Sequence, residues 1–175
     1  MPDGCYGWRS TAGKRWLMLQ NVGIRPISLD DVDLDGLRRE ALSQGFRFLE
    51  RLQEEWASGA NRFDAPGELL LGEFAGAAPV GIGGLNRDPW DPQPDVGRLR
   101  HLYVAEAFRR HGLGAALVHH LLKHAAESFR DVRLRTDSAE AAAFYERTGF
   151  VRCSDPTATH RLPGAHLAAI GFGHG

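Results

Sequence analysis

Arg109-Arg110-His111-Gly112-Leu113-Gly114 is the stretch on which the reading of this chain turns. On its N-terminal side, Arg98 to Val104 reads as a strand, with Leu99, His101 and Tyr103 on one face and Arg98, Arg100, Leu102 and Val104 on the other. On its C-terminal side, Leu113, Leu117, Leu121 and Ala125 recur four apart, which predicts a helix from about Gly112 to Phe129. Glycines between a strand and a helix let the backbone approach a ligand closely and turn its N–H groups outward. The helix start adds N–H groups without intrahelical partners and the positive end of the helix dipole, a combination that suits a pyrophosphate. Arg109 and Arg110 add charge-assisted donors. Between Arg98 and Arg135 eight Lys or Arg stand against three acids, an excess that a solvated basic helix face also explains.

Outward from this stretch the periodicity alternates. Downstream, Val132 to Thr136 reads as a strand, Ala139 to Arg147 as a helix, Phe150 to Cys153 as a strand and Thr159 to Leu162 as one more. The tail Gly164 to Gly175 is rich enough in glycine to be mobile. Upstream, Asn21 to Ile27 is a first short strand. A helix is predicted from Leu29 onward, with Asp30, Asp31 and Asp33 supplying its cap and first-turn charge. A second helix fits Phe46 to Ala57 and ends at Ser58-Gly59. Glu68 to Ala75 and Pro79 to Leu85 form a hairpin about Gly76-Ala77-Ala78. The three prolines between Asn86 and Asp95 forbid a central strand and predict a loop. This order gives an α/β (α+β) sheet domain.

Two motifs in sequence order sharpen the reading. Leu102-Tyr103-Val104 followed by Arg109 to Gly114 resembles the acyl-coenzyme-A-binding motif [RQ]-x-x-G-x-[GA] of the GNAT N-acetyltransferase superfamily. Leu134 to Ser138, followed by Ala141-Ala142-Ala143-Phe144-Tyr145-Glu146-Arg147-Thr148-Gly149-Phe150, resembles the family's second motif at the expected distance. The resemblance implies a central mixed, mostly antiparallel twisted sheet of six to seven strands flanked by about four helices. It also implies an N-acetyltransferase that uses acetyl-CoA as cosubstrate and a primary amine as acceptor, in a ternary complex. Carried onto this chain, it gives backbone groups of Leu102, Tyr103 and Val104 to the pantetheine arm. Amides of Arg110, His111, Gly112, Leu113, Gly114 and Ala115 would hold the pyrophosphate, flanked by Arg109 and Arg110. Tyr145 would protonate the leaving thiolate. Ser138 stands where the family often has Asn, and Arg98 where many members carry a glutamate base. Arginine takes no proton at neutral pH. The candidates left are His101, whose ordinary pKa suits a base, or Glu73, Asp88, Asp91 or Asp95 acting through water; an amine that binds neutral needs none. A non-catalytic acyl-CoA sensor of the same fold is the alternative, and a homodimer is an option that the family leaves open.

From Ser28 to Glu73, eleven acids face five arginines. Together with Trp90 and Asp91 they suggest a cationic amine at the acceptor side, although a solvated acidic surface reads the same way. His120 and His124 stand four apart but lack the glutamate of HExxH, so no metal site is expected. Neither Gly81-Ile82-Gly83 nor Gly112-Leu113-Gly114 completes a dinucleotide fingerprint.

Length and charge bound the rest. A chain of 175 residues suits one domain, expected over 18–175 with residues 1–17 as a flexible extension. A net charge of −1 provides no global field to recruit nucleic acid or an anionic membrane, and no apolar run is long enough to span one. Cys5 and Cys153 have no C-x-x-C partner and are expected to be reduced in a cytoplasmic protein.

Overall fold

The computed structural model describes residues 22–172, so the expectations for residues 1–17 and for Cys5 lie outside the described residues. Seven strands form one sheet: β1 Val22–Pro26, β2 Leu69–Ala75, β3 Ala78–Arg87, β4 Val96–Val104, β5 Asp131–Leu134, β6 Val151–Arg152 and β7 His160–Leu162. Their spatial order is β1-β2-β3-β4-β5-β7-β6, and every neighbouring pair is antiparallel except β4 with β5. Five helices cover the sheet: α1 Asp35–Ser43, α2 Phe48–Ser58, α3 Leu113–Ala125, α4 Ala139–Arg147 and α5 Gly164–Phe172. None of them is long and apolar enough to cross a membrane.

Apolar faces of the helices explain two cores, one on each side of the sheet. Leu37 and Ala41 of α1 join Leu49 and Leu52 of α2, Phe63, Leu70, Ile82 and Tyr103 in one. Leu117, Leu121 and Ala125 of α3 pack with Leu85, Leu99, Tyr145, Phe150 and Leu167 in the other. The α2 helix stops where expected, because Gly59 takes the left-handed conformation (φ +76°) that side chains disfavour.

Three expectations are corrected. The first helix starts at Asp35 rather than Leu29: Ser28 to Val32 is a turn closed on Ser28 O, and the Asp33 carboxylate accepts the Asp35 N–H at 2.8 Å. The tail from Gly164 is not loose over its described part. It is helix α5, begun by the Gly164 N–H donating to Asp131 Oδ1 at 2.9 Å and anchored by buried Leu167. The third correction concerns the faces of β4. Ile82 pairs with Tyr103 and Gly84 with Arg100, so His101 and Leu102 together oppose the single residue Gly83. This β-bulge breaks the alternation, with His101 at φ +55°. Leu99, Leu102 and Val104 therefore face α3, whereas His101 and Tyr103 face the side covered by α1 and α2.

Candidate active site

The parallel pairing of β4 with β5 is short. It joins Val96, Gly97 and Arg98 to Asp131, Val132 and Arg133 and goes no further. Beyond that point the strands part, and Leu99 to Val104 run on with β3 on one side and an open edge on the other. The open edge carries backbone donors and acceptors. Because the Ala105 N–H donates to Val80 O at 2.8 Å, the Val104 carbonyl points the opposite way, toward the gap. Tyr103 pairs with Ile82 beyond the bulge, and alternation from there turns the Val104 N–H and the Leu102 carbonyl to the same edge.

The α3 helix begins at the mouth of this gap. Gly112 forms its N-cap at φ +83°, no side chain caps the end, and the first intrahelical bond runs from the Ala116 N–H to Gly112 O. The amides of Leu113, Gly114 and Ala115 are thus left for a ligand. Arg110 precedes them in the left-handed region (φ +65°), and His111 Nδ1 lies 2.7 Å from Arg109 O. A methyl added at Gly114 would sit 3.6 Å from both Val104 and Phe144, so the helix start, the strand end and α4 converge there. Ser138 caps α4, its hydroxyl accepting the Ala141 N–H at 3.3 Å.

Tyr145 lies on α4 between Phe144 and Phe150, with ring centroids 5.2 and 5.7 Å away. Burial pushes its phenol pKa up, so the hydroxyl holds its proton at neutral pH. His101 is placed differently from the expectation of a base. It lies under α2 beside Phe63, its side chain 2% exposed, with Nε2 3.9 Å from Glu55 Oε2. Burial, aided by the Arg100 charge, pushes its pKa down to about 3, which leaves a neutral imidazole that binds a proton poorly at pH 7.

The remaining candidates separate. Trp90 and Asp91 lie where the two strands part. Trp90 is half exposed and stacks on the Arg98 guanidinium at 4.3 Å, while Asp91 is bound to Arg133. Glu73 is elsewhere: it is 2% exposed on β2, on the α3 face beside Leu117, and is not brought together with Trp90 and Asp91. Three of the eleven acids between Ser28 and Glu73 are also engaged in ion pairs, Asp35 with Arg38, Glu50 with Arg47 and Glu55 with Arg100. Arg98 sits at the base of the gap, where Asp88 bridges it (3.2 Å) to Arg133 (3.5 Å). Arg133 also reaches Asp155 at 2.7 Å, and the Thr157 carbonyl accepts from Arg98 at 2.8 Å. Sequence reasoning missed Arg133, Asp155 and Thr157 here. An arginine between apolar residues of a predicted strand is the signal that was present, since a buried arginine demands a carboxylate partner.

A strand edge freed by a parting parallel pair, facing an uncapped helix start, is an arrangement for a ligand with an amide arm and an anionic group. The GNAT acetyltransferase family model matches residues 34–150, well over half of the chain. The chain belongs to the GNAT acetyltransferase family. Its fold is close to a putative acetyltransferase from Exiguobacterium sp. 255-15, at a TM-score of 0.76 and 25% identity over 85% of this chain and 97% of the other. A putative GNAT acetyltransferase from Desulfovibrio desulfuricans gives 0.65 and 22%, over 82% and 99%. A mutant of the AtaT toxin, bound to the C-terminus of the antitoxin AtaR and to acetyl-CoA, gives 0.65 and 15%, over 87% and 99%. Comparison with the curated proteins finds no match. The GNAT fold accounts for both motifs: the first contains the loop from β4 to α3, and the second runs from the end of β5 through α4 to the turn into β6.

Proposed function

We propose that this GNAT protein transfers the acetyl group of acetyl-CoA to a primary amine by direct attack in a ternary complex. The observation that carries the reading is the open β4 edge, Leu99 to Val104, leading to the uncapped start of α3. Leu102 and Val104 would pair with the pantetheine amides along that edge. Amides from Arg110 to Ala115 would bind the pyrophosphate, where three free N–H groups and the helix dipole favour an anion. The Ser138 hydroxyl, which uses only an acceptor site as a cap, still has its proton to donate to the cofactor.

In the reaction the amine nitrogen bonds to the thioester carbon, and a backbone N–H near Val104 stabilises the oxyanion. The C–S bond then breaks, and Tyr145 passes its phenolic proton to the departing thiolate. The amine enters neutral and releases its extra proton to water, because His101 is too weak an acceptor in its buried position. Holding both reactants in one cleft supplies much of the rate.

Calorimetry with acetyl-CoA, followed by an amine screen, tests this reading. Binding by the wild type should be lost in Gly112→Glu, whose carboxylate would repel the pyrophosphate. Tyr145→Phe should lower turnover by about 10²–10⁴-fold, the range for a lost general acid, at nearly unchanged affinity for acetyl-CoA. The rate should rise with pH along the acceptor's own ionisation, without a step near pH 6.5. Wild-type protein that binds acetyl-CoA but acetylates no amine would favour the sensor.

A further inference from the structure

The Arg109 guanidinium does not point at the start of α3. Its Nε donates to Val104 O at 2.8 Å, and its Nη2 donates to Gln44 Oε1, in the loop after α1, at 2.7 Å. The charge lies 5.2 Å from the Tyr103 ring centre, on the side of the sheet that α1 and α2 cover, whereas α3 packs on the other side. Gln44 completes its amide by donating to Glu106 Oε2 at 3.3 Å. One turn earlier, Glu40 Oε1 accepts both the Tyr103 hydroxyl and the Glu106 N–H, each at 2.8 Å. Four hydrogen bonds thus tie the end of α1 and the following turn to the stretch from Tyr103 to Arg109, and the Arg109–Val104 bond is a fifth within that stretch.

We infer that Arg109 and Gln44 are positioning residues: they brace the cofactor strand against the end of α1, and Arg109 acts through the Val104 carbonyl rather than as a ligand of the pyrophosphate. The inference rests on the acetyl-CoA reading above and changes what that reading assigns to one residue. With one lone pair of its carbonyl already taken, Val104 presents chiefly its N–H to the pantetheine arm, beside the Leu102 carbonyl. The same side chain fixes the distance between the strand that holds the thioester and the helix pair on the opposite face from α3. Cofactor affinity therefore depends on a glutamine that lies across the sheet from the phosphate site.

The test is calorimetry with acetyl-CoA on wild type, Gln44→Ala, Arg109→Ala and the double variant, each at low and high salt, with thermal melts to confirm folding. The brace predicts that Gln44→Ala weakens binding several-fold, the scale of a lost hydrogen bond to a charged group. It also predicts that the double variant is no weaker than Arg109→Ala and that the salt dependence stays at the wild-type slope. A pyrophosphate ligand predicts the reverse: Gln44→Ala binds as wild type, and Arg109→Ala flattens the salt dependence. Either of those results overturns the inference. Arg109→Lys, which keeps the charge but cannot reach both partners, should behave like Arg109→Ala if the brace holds and like wild type if only charge matters. Should the wild type bind no acetyl-CoA, the functional reading fails. The brace is then judged by amide hydrogen exchange over residues 105–112, which Gln44→Ala must accelerate; unchanged exchange overturns it.

Discussion

Glu73 is a buried carboxylate whose electrostatic demand the fold leaves unmet. Its Oε2 is enclosed without a hydrogen-bond partner, and it lies where the side chain of the facing residue would be had that residue not been Gly81. Burial pushes its pKa up to about 7 from an ordinary value of 4.5. Below pH 4.5 both folded and unfolded chains hold the proton, so ionisation costs the fold nothing. Between pH 4.5 and about 7 the unfolded chain releases the proton first, and stability falls as pH rises. Above 7 the loss is complete, at about 3 kcal/mol from the linkage relation. Glu73→Gln removes the titration. Its stability relative to wild type should therefore improve by about that amount between pH 4.5 and pH 8. Urea midpoints at the two pH values measure this, and a difference independent of pH would refute the burial argument. The acidic count that put Glu73 at the acceptor side carries no information about faces. Only the pairing of β2 with β3, and the helix above them, show that the carboxylate points under α3.

At the scale of elements, the helices and strands of the two motifs were legible because their signals are local. Ala139 to Arg147 is found as read, and the loop after Arg87 is fixed by its prolines. The bulge in β4 was not legible. Alternation assumes one residue per position, and no residue type between Arg98 and Val104 announces that two of them oppose Gly83. The α5 helix was misread because its glycines looked like loosening. In the fold Gly164 starts the helix, and Gly171 lies so close to α3 that a Cβ would come within 2.8 Å of Ala126. Glycine at the start of α3 has two separate causes, which two substitutions distinguish. Gly112 has open space around it but φ +83°, so Gly112→Ala should cost roughly 1–2 kcal/mol in backbone strain alone. Gly114 is helical, and its added methyl would make ordinary contacts at 3.6 Å, so Gly114→Ala should be neutral or stabilising by up to about 1 kcal/mol. Chemical denaturation of the two variants should give opposite signs or a loss confined to Gly112→Ala. A loss in Gly114→Ala as large as that in Gly112→Ala would mean that the convergence on Phe144 is tighter than described.

For the molecule as a whole, the gap between β4 and β5 needs a fixed base, and an ionic cluster forms it. Arg98 and Arg133 are Cα partners across the parallel β4–β5 pair and lie on the same face, both almost fully buried. Two like charges side by side in a sheet repel, so their placement requires a carboxylate between them. Asp88, whose side chain is 0% exposed, supplies it and draws the start of the β3–β4 loop onto the sheet. Asp91 from the same loop and Asp155 from the β6–β7 loop complete the ring, so two strands and two loops meet at one point. The motif match did not reveal this cluster, because its aspartates lie in loops and both arginines stand on strands just outside the two motifs. Asp88→Ala would leave two buried guanidinium groups short of a counter-charge and should destabilise the fold by about 3–5 kcal/mol. Removing one of those charges as well should restore much of the loss, because the penalty comes from the uncompensated pair rather than from the missing carboxylate itself. Asp88→Ala combined with Arg98→Met is therefore expected to be clearly less destabilised than the sum of the single variants, a coupling of about 1–3 kcal/mol in a double-mutant cycle. Guanidinium chloride would mask such charge effects, so urea unfolding at constant ionic strength is the measurement. Strict additivity would show that Arg98 is held by its stacking on Trp90 and its bond to Thr157, with Asp88 incidental to the base of the gap.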